Sequence, residues 1–409
     1  MWVIRELVEV VLLLAEGIWR ILKEAKDFRQ IEVEIFQLVQ EAARRLLALA
    51  LRLVDECLMK ERDKSRWRLV NSKKRVILTW FGQIEYDRRY YVDRHTGERK
   101  FFLDEWLGIR SRQRLSPLVV EQGTMLAVQL PYGRASERLR EVTLGAVDVS
   151  DQELWKEVQR AGEAMREAAR DRRQAIFERG QVACGSRRAE EMYVEVDEVS
   201  LPGRDSGPGG KKKRLEVKIA VAYEGKKEVS RDRRQLVNRR VYAGVEEAEA
   251  FFEGAVADFT QKWDPESFMR CHFGSDGAAW AKKGIDYFPG AVWRLDRWHL
   301  RRALREGLGH DDASYVKVCE AIATGEWPRV EEALQSAECR APRRKRAGIR
   351  KLKRYLREAW EGIRHSEEAR SLGAIEGQVF HHISRRMKRH GGRWSARGAD
   401  HLARLLSAD

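Results

Sequence analysis

Cysteine pairs at metal-binding or disulfide spacing are missing from this chain. Its five cysteines (Cys57, Cys184, Cys271, Cys319 and Cys339) are odd in number and no C-x-x-C occurs, which argues against a disulfide framework and a zinc knuckle and fits a reducing cytoplasm. A zinc site built on Cys271-His272 lacks the further ligands at zinc-finger spacing. Long apolar runs are missing too. Near the N-terminus Arg5, Glu6, Glu9 and Glu16 leave Val10 to Ala15 as the longest uncharged run, far short of the roughly 20 residues that span a bilayer, so no membrane partner is expected. Acidic residues are outnumbered, 64 against 79 basic ones, for a formal charge of +15 and a pI near 9.6. A polyanion is the natural partner of such a chain. Thirteen tryptophans and 43% hydrophobic content argue against a disordered basic tail and for a folded protein with a basic surface. At 409 residues the chain has room for two or three domains.

Residues 1–64 read as two amphipathic helices. Val3, Leu7, Val10, Leu14, Ile18 and Ile21 recur at helical spacing, and after a break near Asp27 so do Ile31, Ile35, Leu38, Leu46, Val54 and Leu58. Such helices serve either to pack on the protein's own core or as a dimerisation arm. Residues 65–110 change to strand patterning: Arg75 to Phe81, a Gly82-Gln83 turn, Ile84 to Val92, and Lys100 to Leu103. This predicts a small antiparallel unit, in which Arg88, Arg89, Arg94 and Arg99 are either backbone contacts to nucleic acid or a solvated face.

Residues 111–185 return to helix. Ser150 and Glu153 form a capping box that opens a helix over Leu154 to Ala161. A helix, a turn and a capped second helix read as a helix-turn-helix, which would offer Gln152, Lys156, Gln159 and Arg160 to DNA. Helical hairpins of this size are also common packing units.

The stretch from Met192 carries the chemistry. Strands Met192–Val199, Leu215–Tyr223 and Leu236–Tyr242, a helix Glu246–Lys262, strand Phe268–Ser275, a short helix from Ala278 and strand Ala291–Leu295 give the order β-β-β-α-β-α-β. That is the order of an RNase H-like core, here assigned to residues 186–300 and 372–409 with a basic, all-α insertion at 301–371. The expected class is thus α+β or α/β. The helix from Ile375 to Arg389 places Glu376, Val379, Phe380, Ile383 and Met387 on one side.

Three acids stand out. Asp276, in Gly-Ser-Asp276-Gly-Ala-Ala-Trp280, ends a strand where a glycine permits a sharp turn. Asp197 ends the first strand, although Glu195 and Glu198 compete with it for the role, and Glu376 sits at the edge of an apolar helix face. Each alone is explained by a salt bridge. Together, on strand, strand end and helix, they are the oxygen ligands that a two-metal phosphoryl-transfer site draws from several rigid elements. Asp296 and His299 lie about one helical turn apart and are assigned a supporting role.

These residues carry a resemblance. Arg75 to Tyr91 with Phe81-Gly82 and Arg89-Tyr90-Tyr91, Leu103-Asp104-Glu105, Val196-Asp197-Glu198, Ser275-Asp276-Gly277-Ala278-x-Trp280, Asp296-x-x-His299, Glu376-Gly377, Ser384-Arg385-Arg386-Met387 and Trp394-Ser395-x-x-Gly398 resemble the ISLre-type insertion-sequence transposases of bacteria. More distantly they resemble the Mutator-like DDE transposases, which share the C/D-x-x-H element. The resemblance implies an RNase H-like catalytic domain with Asp197, Asp276 and Glu376 as the DDE triad holding Mg²⁺ or Mn²⁺. It implies cleavage of DNA at terminal inverted repeats, strand transfer into target DNA, and a homodimer or higher oligomer on DNA. Lys211, Lys212, Lys213, Arg214, Arg385 and Arg386 are added to the helix-turn-helix residues as DNA contacts. A structure-specific DNA nuclease and a non-catalytic DNA-binding regulator are the alternatives.

Overall fold

Asp27 divides the N-terminal apolar pattern into two helices in the computed structural model, which describes residues 2–181, 185–206, 212–231, 233–364, 372–389 and 391–408. Helix α1 is Trp2–Glu24 and α2 is Phe28–Glu61, with the Asp27 carboxylate accepting from the Gln30 N–H at 2.7 Å. Gly17 lets the two approach closely, since a Cβ there would lie 2.4 Å from Leu38 Cδ1. Val10 and Ile21 are buried, but Ile4, Val11, Trp19 and Leu22 are exposed. An apolar surface of that extent on a free helix is uncommon.

Two compact units emerge, Met1–Val158 and Gln159–Asp409. In the first, β1 (Trp67–Thr79), β2 (Gly82–Asp93) and β3 (Arg99–Phe101) form an antiparallel sheet in that order. Gly82 turns the hairpin at φ +111°. Ile77, Ile84, Tyr86 and Leu103, the last from α3 (Phe102–Trp106), pack with Leu51 of α2. Arg88 and Arg75 converge on buried Asp104, and Arg89 pairs with Asp55 at 2.6 Å. Those arginines hold the sheet to its helices, while Arg94 and Arg99 remain exposed.

Helices α4 (Pro117–Gln129), α5 (Tyr132–Val142) and α6 (Asp151–Phe177) follow. The Ser150 hydroxyl accepts from the Glu153 N–H at 3.2 Å, as a capping box requires. Instead of ending near Ala161, α6 runs on as one long helix through the charged stretch around Arg170 to Arg173.

The second unit is built on β4 (Glu191–Ser206), β5 (Lys212–Tyr223), β8 (Arg240–Gly244), β9 (Arg270–Ser275) and β10 (Ala291–Leu295), with a separate hairpin of β6 (Gly225–Ser230) and β7 (Arg233–Val237). The strand order is β10-β9-β4-β5-β8, with β4–β5 and β5–β8 antiparallel and β4–β9 and β9–β10 parallel. This is a mixed α+β fold with a mixed sheet. The single strand expected over Leu236–Tyr242 is in fact two. Asn238 adopts φ +53°, and that left-handed residue breaks the chain between β7, which pairs only with β6, and β8, which joins the main sheet.

Alternation sets the faces of β4. Val194 and Val196 join the core with Phe251 and Phe252 of α7 (Ala248–Phe259), so Glu195 and Asp197 project from the opposite face. Helix α8 (Ala279–Lys282) follows β9, and α9 (Arg297–Leu308), α10 (Asp312–Ala323), α11 (Trp327–Arg340), α12 (Arg343–Glu358) and α13 (Trp360–Arg364) follow β10 as the helical insertion. The chain then returns through α14 (Ile375–Gln378), a π-helical segment Val379–Ser384, α15 (Arg385–Met387) and α16 (Ala396–Ser407). The wider π turn advances the buried line by four residues each time, through Ile375, Val379, Ile383 and Met387. Phe380, expected on that line, is 43% exposed instead.

Candidate active site

Parallel pairing across three strands stops at one level, within β4 and at the ends of β9 and β10. Glu195 pairs with Gly274, and Ser275 with Leu295. Continuing that register puts Asp197 beside Asp276 and Asp276 beside Asp296. Asp276 and Asp296 stand just past the carboxyl ends of β9 and β10, where open sheets gather their ligands, whereas Asp197, expected to end its strand, lies within β4, which pairs on with β5 as far as Ser206. Gly277 takes φ +87°, which turns the chain out of β9. Asp276 Oδ1 then accepts from the Ala278 N–H at 2.8 Å, and the Tyr355 hydroxyl of α12 donates to the Asp276 carbonyl at 3.4 Å.

Asp296 is the N-cap of α9. Its Oδ2 accepts from the His299 backbone N–H at 3.4 Å and lies 2.9 Å from His299 Nδ1. A carboxylate has no proton to give, so Nδ1 carries one and the ring is aimed with Nε2 outward. That Nε2 lies 4.0 Å from Glu376 Oε1, in the first turn of α14. The ligand atoms of Asp296, His299 and Glu376 all fall within 4.8 Å of one another. This set differs from the predicted Asp197, Asp276 and Glu376, yet both belong to one cluster, because Asp197 feels Glu376, His299 and Asp276 electrostatically.

Burial pushes the Asp197 carboxyl up to about 7, the negative charges of Glu376 and Asp276 add to this, and the Glu198 N–H and His299 oppose it. For His299 burial works against the charged form, but Asp296, Asp197 and Asp276 prevail and raise it. Burial, with Asp276 and Asp296 nearby, pushes Tyr355 up to about 12, so it stays a neutral donor. Neither Asp197 nor Asp276 has a lysine or arginine ion pair among the described residues. Half-buried acids without a lysine or arginine partner need a cation or a proton, and a donor set of carboxylate oxygens with one imidazole suits a divalent ion.

The sign of the pH dependence follows. A carboxyl raised from 3.8 to about 7 on folding takes up a proton as the chain folds, so cation-free stability falls as pH rises from about 4 through 7 and then levels. A bound cation displaces that proton. Mn²⁺ affinity measured by calorimetry should therefore rise at least about tenfold per pH unit below pH 7 and flatten above it, and Asp197→Asn should reduce the dependence to the share that His299 contributes. An affinity that is flat from pH 5.5 to 8.5 in the unaltered protein would exclude Asp197 from the site.

The zinc alternative fails on geometry. Cys271 packs in the apolar core with its thiol pushed up to about 12 by burial, while His272 stacks on Tyr193 on the other face. Adjacent strand residues cannot share one ion.

The predicted DNA contacts are dispersed. Gln152, Lys156 and Arg160 are exposed on α6, whereas Gln159 turns inward to His401 Nδ1 at 2.9 Å. Arg214 is exposed, with Nε donating to Ser200 at 2.6 Å. Lys211 and the side chains of Lys212 and Lys213 lie outside the described residues. Arg385 is exposed, and Arg386 is buried over the Trp394 ring, so the latter packs rather than presents charge.

Sequence reasoning placed α12 in the basic all-α insertion but named no site residue on it. Its residues Gly348, Lys351 and Tyr355 line an open cleft with His299, Arg302 and Gly307 of α9, directly beside the acids. The density of basic residues over 343–357 was the available signal.

Fold and site together define a mixed α+β protein with carboxylates gathered where β9 and β10 end beside β4. The chain belongs to the uncharacterised protein family UPF0236, whose model matches residues 21–409. It is similar to UPF0236 protein TTE2489 of Caldanaerobacter subterraneus subsp. tengcongensis, 24% identical over 397 residues that cover 94% of this chain and 79% of that protein. A second relative from the same organism, whose name joins eleven designations from TTE0033 to TTE2212, is 24% identical over 390 residues, 94% of this chain and 78% of the relative. The UPF0236 protein in the vanSb 3′ region of Streptococcus gallolyticus is 25% identical over 403 residues, 96% and 85% of the two chains.

Proposed function

We propose that this chain is a DDE transposase of the ISLre type, which binds the terminal inverted repeats of its element and performs metal-dependent strand cleavage and strand transfer. The observation that carries the reading is the register: continued past its last pair, Glu195 with Gly274, it puts Asp197 on β4 beside Asp276 just beyond β9, and Glu376 shares their electrostatic field. The sheet order, with the first strand central, two antiparallel strands on one side and two parallel strands on the other, supports an RNase H-like core. One relative bearing eleven designations in one organism is consistent with a gene that copies itself.

Asp197, Asp276 and Glu376 are the groups that would hold Mg²⁺ or Mn²⁺. Two such ions supply Lewis-acid activation of water or a 3′-hydroxyl and stabilise the leaving oxygen. Asp296 fixes the His299 tautomer, and His299 Nε2 beside Glu376 offers a hydrogen-bonding group to a phosphate or to the third acid. Tyr355 and Gly277 hold the turn that carries Asp276. The exposed apolar residues of α1 offer a surface for a second copy of the chain on DNA.

Incubated with Mg²⁺ and duplexes carrying the DNA that flanks its own gene, the purified protein should nick at the element's ends and join the freed 3′-hydroxyls to a target plasmid. Cleavage of any duplex without joining would favour the nuclease. Binding with neither would favour the regulator. Inverted repeats flanking the coding region separate the first two readings before any assay.

A further inference from the structure

Glu195 is among the most buried charged groups of the second unit, at 1% exposure. It sits on β4 two residues before Asp197 and on the same face. Its oxygens, however, are not offered to a ligand. Oε2 accepts from the backbone N–H groups of Gly373 at 2.8 Å, Ala374 at 3.1 Å and Ile375 at 3.4 Å, while Oε1 accepts from Ala374 at 2.9 Å and from the Tyr223 hydroxyl at 2.5 Å.

Those amides open the helix that carries Glu376. The first turn of any helix leaves N–H groups without intrahelical partners, and a Ser, Thr, Asp or Asn at the N-cap ordinarily meets them. Here the N-cap is Ala374 and no local side chain caps the helix. A carboxylate from a strand nearly 180 residues earlier does so instead. Two further features fit this arrangement. Gly274, the register partner of Glu195, leaves the space, since a Cβ there would come 3.0 Å from Glu195 Cγ and 3.2 Å from Leu372 Cδ2. Lys226 Nζ donates to the Leu372 carbonyl at 3.0 Å, which ties the same turn from the other side.

We propose that Glu195 is the positioning residue for Glu376: seated opposite Gly274 and held by Tyr223, it anchors the start of α14 to β4, and so couples the place of the third acid to that of Asp197. The inference rests on the two-metal reading of the acids. It assigns Glu195 no contact with cation or DNA. The consequence is a split between two acids of one strand, with Asp197 serving the reaction and Glu195 the geometry.

Glu195→Gln tests this, because it keeps the shape while replacing one acceptor oxygen by an amide that faces N–H donors. Loss of an outer residue that orients a metal-holding group typically costs about 10–100-fold in metal affinity or activity. Mn²⁺ affinity by calorimetry and kcat for strand cleavage are expected to fall within that range, with the Kd for DNA within about twofold of the unaltered protein. In the cation-free protein, amide hydrogen exchange of Ala374 and Ile375 should speed up. Gly274→Ala, which pushes a methyl toward the Glu195 side chain, should shift Mn²⁺ affinity in the same direction and decides the matter if the glutamine variant does not fold. A folded Glu195→Gln protein with unchanged Mn²⁺ affinity and unchanged kcat, even with a lower Tm, would overturn the proposal and leave Glu195 a stabilising cap. Because Mn²⁺ affinity and amide exchange are read without DNA, their change in a protein that cleaves no DNA would sustain the positioning role while the transposase reading fell.

Discussion

Alanine at Asp197, Asp276 or Glu376 is expected to lower Mg²⁺-dependent cleavage and strand transfer by roughly three orders of magnitude or more, and any two of these changes together should cost little beyond one. Groups that act as a unit behave this way, since a cation site missing one oxygen ligand has already lost its geometry. Stability should move the other way. Asp197 is a half-buried acid beside two others, with its carboxyl pushed up to about 7 by burial and those neighbours. Removing it relieves the cation-free protein of a charge that must otherwise ionise unfavourably, so the Tm of Asp197→Ala at pH 8 without cation should equal or exceed that of the unaltered chain. Cleavage by any one of the three at the unaltered rate removes that residue from the site. A fall in Tm together with activity in all three would reassign the acids to the framework.

How much of this was readable beforehand differs from acid to acid. Asp276 was legible because Gly277 announced a turn that needs positive φ, found at +87°. For Asp197 the sequence left three acids on one strand, and period-two alternation could only exclude Glu198 from the face that Glu195 shares with Asp197. What separates Glu195 from Asp197 is a set of hydrogen bonds with Gly373 to Ile375, and nothing local in either segment encodes a hydrogen bond across such a distance. The same holds for the shared level of Asp197, Asp276 and Asp296, which comes from strand register. Strands β9 and β10 were found close to their predicted bounds because apolar runs ended by turn residues mark them well. The break at Asn238 was missed because asparagine in left-handed conformation leaves hydrophobic patterning untouched. Phe380 was misassigned for a related reason, since a regular helical period does not foresee a π turn.

Helix α12 should carry the second large effect. Nine of its sixteen residues, Arg343 to Glu358, are Lys or Arg and one is acidic, which would destabilise an isolated helix through like-charge neighbours. Its fold is secured by Ile349, Leu352 and Leu356 on the buried face. Lys353 and Arg350 are neutralised by Glu331 at 2.8 Å and Glu338 at 3.2 Å. Arg344, Lys345, Lys351 and Arg354 are exposed and have no ion pair among the described residues. Lys351 also lines the cleft that reaches His299. Charge concentrated beside an acidic centre, and left without acidic partners, suits a phosphate backbone being led toward that centre. Replacing Arg344, Lys345, Lys351 and Arg354 together by alanine should weaken DNA binding about 100-fold or more at low salt and reduce the log–log salt slope by roughly one unit for each phosphate that is no longer neutralised. The weakening should be uniform over DNA sequences, because phosphate contacts position a duplex without reading it. An unchanged slope in titrations from low to physiological salt would detach α12 from the DNA path, and a weakening confined to the element's own ends would mean that these residues read bases.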